Sequence, residues 1–73
     1  MKSFKNYEGV ICKNRTELSI LSIMARENGF EVCTKIKNPK YSNIIFLEGI
    51  FYDAADWAIK FPITKEEFLN KIN

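Results

Sequence analysis

Histidine is absent from this 73-residue chain, and several chemistries go with it. Imidazole is the usual general base near neutral pH and the commonest metal ligand. Cysteine is scarce: Cys12 and Cys33 stand far apart and belong to no CxxC motif. Two thiols cannot close a tetrahedral zinc site, and their spacing does not suit one shared by two copies. No GxxxxGK[ST] or GxGxxG segment is present, so no phosphate loop of known type is expected. No apolar run approaches the ~18 residues of a membrane span. The segment Met1–Asn6 lacks the apolar stretch of a signal peptide. The expectation is a cytosolic protein with reduced, free thiols and no membrane contact.

Charge is nearly balanced. Eleven basic and nine acidic residues leave a net +2. A strongly basic stripe would point to nucleic acid, and a strongly acidic surface to a DNA mimic. Any contact with a polyanion is therefore expected to be local. Apolar residues make up 47% of the chain, which is a globular composition. Such a length allows one domain, residues 1–73, and a core of that size rarely supplies more than about 3–5 kcal/mol of net stability. Small domains often add a partner subunit, and self-association is expected here. The abundance of Lys, Asn, Ile and Phe fits an AT-rich coding sequence.

Local signals place two helices. Asn14 can cap the first, with Glu17 three residues on, over about Arg15–Asn28. Gly29 suits the positive φ of a helix exit, and Phe30 supplies the apolar contact after it. Leu18, Leu21, Met24 and Ala25 form the inward face; Ser19, Ser22 and Arg26 form a polar one. Ile20 and Ile23 widen the apolar arc, as in a deeply seated helix or one that meets a partner. They are the candidate self-association residues. Near the end, Thr64-Lys65-Glu66-Glu67 is a capping box, and Ile63 with Phe68 forms its hydrophobic staple.

Between the helices the period is two. Phe30, Val32, Thr34 and Ile36 alternate with Glu31, Cys33, Lys35 and Lys37, as in a half-buried strand. Asn38-Pro39 opens a loop to Asn43. Ile44–Leu47 and Ile50–Asp53 form a hairpin about Glu48-Gly49. Tyr7–Lys13 is a strand with Val10 and Cys12 on one face. Residues 54–61 either extend the last strand or make a helical turn around Trp57. The fold class is α+β in the order β–α–β–β–β–α. The sheet is expected to be an antiparallel meander, carrying one long helix and a short C-terminal one.

Candidate chemistry is sparse. Free cysteines are usually small buried hydrophobes, and neither has an obvious activating neighbour. Asp53 and Asp56 would share a face if their segment turned helically, but such pairs are more often solvated loops. No catalytic residue, metal or cofactor is assigned, and a non-enzymatic protein is expected. The suggestive group is basic and aromatic: Arg15, Lys35, Lys37, Lys40, Tyr41, Tyr52 and Trp57. Aromatics beside cations can stack a nucleotide whose phosphates the cations hold. They can equally anchor a protein interface. Phe51 and Phe61 are expected in the core. A phosphate could also meet Arg15 or Lys65 at the helix starts.

The order of these motifs resembles a group of small accessory proteins. It runs from Val10-Ile11-Cys12-Lys13 through the Thr16-Glu17 helix start to the Glu27-Asn28-Gly29-Phe30 exit. Asn38-Pro39, the hairpin and Pro62-Ile63-Thr64-Lys65-Glu66-Glu67-Phe68-Leu69 follow. The group is found in bacteriophages and prophages of low-G+C Gram-positive hosts, and the resemblance covers about residues 7–72. Its members often carry a tryptophan shortly after the helix exit, where this chain has Glu31-Val32-Cys33. The resemblance implies an accessory protein of the host bacterial cytosol that inactivates a host defence or host enzyme stoichiometrically, as anti-CRISPR inhibitors do. It also allows an oligomeric sponge for a nucleotide immune signal. A small nucleic-acid-binding accessory protein is a further reading, not favoured by the charge.

Overall fold

The computed structural model describes residues 3–35 and 40–73. The elements are β1 (Glu8–Val10), α1 (Arg15–Glu27), β2 (Glu31–Val32), β3 (Asn43–Leu47), β4 (Ile50–Ala54), a 3₁₀ turn (Asp56–Ala58), β5 (Phe61–Pro62) and α2 (Lys65–Ile72). The α+β class and the expected order hold, with the 3₁₀ turn and the short β5 inserted before α2.

Both caps form as the sequence requires. Glu17 donates its backbone N–H to Asn14 Oδ1 at 2.9 Å, and α1 leaves through Gly29 at φ 89°. The Thr64 hydroxyl accepts the Glu67 N–H at 3.0 Å, while Glu67 Oε1 accepts the Thr64 N–H at 3.2 Å. In the hairpin, Glu48 and Gly49 both take positive φ, 51° and 86°. That geometry matches the right-handed twist of the flanking strands.

The sheet is not the antiparallel meander expected. Its order is β2-β4-β3-β1-β5, with β2–β4 and β1–β5 parallel and β1–β3 and β3–β4 antiparallel. A single helix between β1 and β2 reverses the chain twice, so these two strands run the same way. The β3–β4 hairpin then enters between them. At Gly9 the strands approach so closely that a Cβ would lie 2.2 Å from the Ile44 carbonyl oxygen. Pro62 sits in the edge strand β5, where no ladder N–H is needed.

The helices cover one face of the sheet. Phe51 is fully buried there, with Phe4, Phe46 and Phe68 at ring-centroid distances of 5.0, 5.0 and 5.4 Å. Such pairs add about 0.5–1.5 kcal/mol each beyond area burial. Leu18, Leu21 and Ala25 of α1 complete this core. Ser22, expected on the polar face, is also fully buried. Its hydroxyl donates to the Leu18 carbonyl at 2.8 Å and accepts from Thr34 Oγ1 at 2.8 Å. These bonds remove the usual penalty for burying a hydroxyl.

The second face is covered only in part. The chain leaves β4 and reaches β5 beyond β1, so residues 55–60 pass over this face. Ile59 and Ala58 pack there on Ile45 and Ala54. The ambiguous segment is thus a helical turn followed by a strand. No helix among the described residues is long and apolar enough to cross a membrane.

Candidate functional site

Trp57 occupies the middle of the 3₁₀ turn and is 84% exposed. Its neighbours hold the turn down: Ala55 and Ile59 are buried, and the Ala58 and Ile59 N–H groups bond back to Ala55 and Asp56. A turn with its flanks pinned inward must project its middle side chain outward. Asn43, buried at the start of β3, fixes the same turn. Its Nδ2 donates to the Ala54 carbonyl at 3.2 Å and to Asp56 Oδ1, and its Oδ1 accepts the Cys12 N–H at 3.0 Å.

The fold brings four of the predicted residues together. Arg15, Lys40, Tyr41 and Trp57 border one cleft of about 570 Å³ between the start of α1, the approach to β3 and the turn. Lys40 Nζ lies 5.4 Å from the Tyr41 ring centroid. Arg15 forms no salt bridge among the described residues. Tyr41 and Trp57 also border a smaller pocket of about 230 Å³, which Tyr52 lines. Its remaining walls include Tyr7, Ile45 and Leu47.

The other predicted residues lie elsewhere. Lys35 is exposed beyond β2 and borders neither the cleft nor the pocket. Lys37 and the Asn38-Pro39 turn lie outside the described residues. Ile20 and Ile23 are 50% and 45% exposed on α1. Phe61, expected in the core with Phe51, is half exposed because β5 is an edge strand. Two contributors were missed in the sequence. Tyr7 reaches the pocket from a left-handed backbone position at φ 69°, and Lys60 Nζ stacks on its ring at 4.5 Å. An aromatic just before a short strand and a lysine just before an edge strand were the only signals.

Burial, reinforced by the Glu17 charge, pushes the Cys12 thiol up to about 11, so it stays protonated near neutrality. Cys33 is exposed, so the buried-hydrophobe reading holds only for Cys12. Asp53 stands opposite Ile44, on the helix side, while Asp56 is held by Asn43 on the other. No group of three potential metal ligands occurs among the described residues. A further cleft, of about 510 Å³, lies beside the N-terminus of α2. Two of its three acids are already engaged: Glu17 accepts the Lys13 N–H and pairs with Lys65, and Glu67 closes the capping box, while Glu66 also lines the cleft. No protein-family model matches the chain, and neither a curated protein nor a solved structure is similar enough to match it.

Proposed function

We propose that this chain is a non-enzymatic accessory protein that binds a host protein stoichiometrically and inhibits it, in the manner of a phage counter-defence factor. The observation that carries the reading is Trp57, exposed beside Tyr41 and Arg15. Trp, Tyr and Arg are the residues that dominate interface energies. The turn projects this position outward, and a tryptophan there packs no core, which favours a role in binding. A bacterial cytosol is the setting this reading requires. Self-association through Ile20 and Ile23 belongs to the same proposal, because an isolated domain this small gains from a second copy.

The test is capture from lysate of a low-G+C Gram-positive host, followed by affinity measurement with the captured protein. Trp57→Ala is expected to weaken binding by about 30-fold, the equivalent of about 2 kcal/mol at a hot spot. Equal binding by Trp57→Ala and Arg15→Ala, or multiple turnover by the purified chain, would sink the proposal. Light scattering checks the oligomer: Ile23→Glu should shift a dimer toward monomer.

A second reading is a sponge for a nucleotide signal. Arg15 and Lys40 share a cleft with two aromatic side chains, which suits phosphates and a stacked base. A cyclic dinucleotide at 100 times its Kd should then stabilise the fold by about 2.7 kcal/mol. Nucleic-acid binding has less support, since Lys35 stands apart from the cleft.

A further inference from the structure

We infer that the open face around Trp57 takes an acidic polypeptide segment and seats one large apolar side chain of it in the pocket beside Tyr52. This rests on the protein-binding reading above and names the chemistry of the partner.

Pocket size favours a side chain over a small molecule. At about 230 Å³ it is smaller than the roughly 300–1,000 Å³ of drug-sized ligand sites. Its walls are mostly apolar: Ile45, Leu47 and Ala54 form the floor, the rings of Tyr7, Tyr52 and Trp57 border it, and Asp53 is its one charged neighbour. Residues 55–60 cover part of this sheet face and leave the remainder open, so the pocket is a gap in the fold's own packing.

The rim selects the sign of the partner. Lys60 Nζ lies 4.5 Å from the ring centroid of Tyr7, and Lys40 Nζ 5.4 Å from that of Tyr41. Both tyrosines line the pocket, and Arg15 stands across the adjoining cleft. The nearby acids are engaged or turned away. Asp56 is bonded to Asn43 and Glu48 to the Asn6 amide at 3.1 Å, while Asp53 borders the pocket but pairs with Ile44, whose side chain belongs to the helix-side core. Those amide bonds leave the acids charged, but Lys40, Lys60 and Arg15 form no salt bridge among the described residues, so three cations are open to a partner even though the whole chain carries only +2. Each lysine is carried on its own tyrosine, and Asp56 lies in the cleft that Arg15 and Lys40 share. Separate cations around an apolar hole fit carboxylates spaced along a peptide better than the clustered charge of a nucleotide. Charge complementarity of this kind steers and selects partners.

Trp57 is the only tryptophan, so its emission reports this face directly. The probes are the capped peptide Asp-Glu-Phe-Glu-Asp, its analogue with alanine for phenylalanine, its analogue with lysine for every acid, and a cyclic dinucleotide. The acidic phenylalanine peptide should give a saturable blue shift. The alanine and lysine analogues should bind at least about tenfold more weakly. The double variant Lys40→Gln, Lys60→Gln, checked for native circular dichroism, should lose about tenfold for the acidic peptide, as should raised salt. Equal binding of acidic and lysine peptides, or silence of all peptides at millimolar concentration, would overturn the inference. Saturation by the dinucleotide alone would also overturn it. If the peptides are silent but a host protein is still captured through Trp57, the inference fails and the binding reading stands. If the acidic peptide binds but no Trp57-dependent host protein is captured, the reverse holds.

Discussion

Asn43 and Asp56 are joined side chain to side chain, tying the start of β3 to the turn that carries Trp57. Asn43 is buried and also serves the Cys12 N–H and the Ala54 carbonyl. Replacing Asp56 by Ala removes one tether and should cost about 1 kcal/mol. Asn43→Ala strands buried backbone groups as well and should cost about 1–3 kcal/mol. Urea unfolding gives the stabilities. Time-resolved anisotropy of Trp57 should show faster local motion in both variants; unchanged anisotropy would mean that the flanking alanine and isoleucine alone hold the turn.

Ser22 and Thr34 form a closed buried pair, which predicts a non-additive response. Ser22→Ala leaves the Thr34 hydroxyl without its acceptor and should destabilise by about 1–3 kcal/mol. In the double variant Ser22→Ala, Thr34→Val, both hydroxyls are gone, and the loss should fall well below the sum of the single changes. Additive losses from denaturant titration would contradict the pairing.

Lys71 of α2 reaches Glu8 of β1 at 2.8 Å and also lies 5.1 Å from the Phe4 ring centroid. Glu8 is almost fully buried, and Lys71 is its one salt-bridge partner among the described residues. Lys71→Met should cost about 3 kcal/mol, because it leaves a buried carboxylate unpaired. The paired change Glu8→Gln, Lys71→Met should recover much of that loss. Chemical denaturation of the three variants is the check.

Cys12 makes stability depend on pH in alkaline solution. The unfolded thiol ionises near its ordinary value of 9.0, and the folded one only at about 11. A raised folded value keeps its contribution complete below about pH 9 and removes it as pH climbs toward 11. Wild type should therefore lose more stability than Cys12→Ala across that window. The exposed Cys33 should react with a thiol reagent in the native state, while Cys12 should react only on unfolding. Two fast-reacting thiols in the native protein would contradict this burial.

Tests of this kind separate the local from the long-range features of the fold. The caps at Asn14 and Thr64, the exit at Gly29 and the turn at Glu48-Gly49 could all be read from the sequence. Each is a bond or a φ preference confined to about four residues. The strand expected over Phe30–Lys37 forms only as β2, Glu31–Val32; the alternation survives in the burial of Val32 and Thr34 against Glu31 and Cys33, and residues 36 and 37 lie outside the described ones. Four of the predicted binding residues do meet, although nothing in their spacing required it.

The sequence by itself determined the helices, their ends, the hairpin and the lack of an imidazole or phosphate-loop centre. Tertiary structure alone decided that β3 and β4 enter between β1 and β2 and that β5 runs parallel to β1. It also decided that Ser22 is buried and that Trp57 points outward beside Tyr41 and Arg15. The two-residue strands β2 and β5 carry no local signal of which strand each will join. Their pairing is set by long-range hydrogen bonds and by which apolar surfaces remain to be covered, and both exist only once the chain has closed on itself.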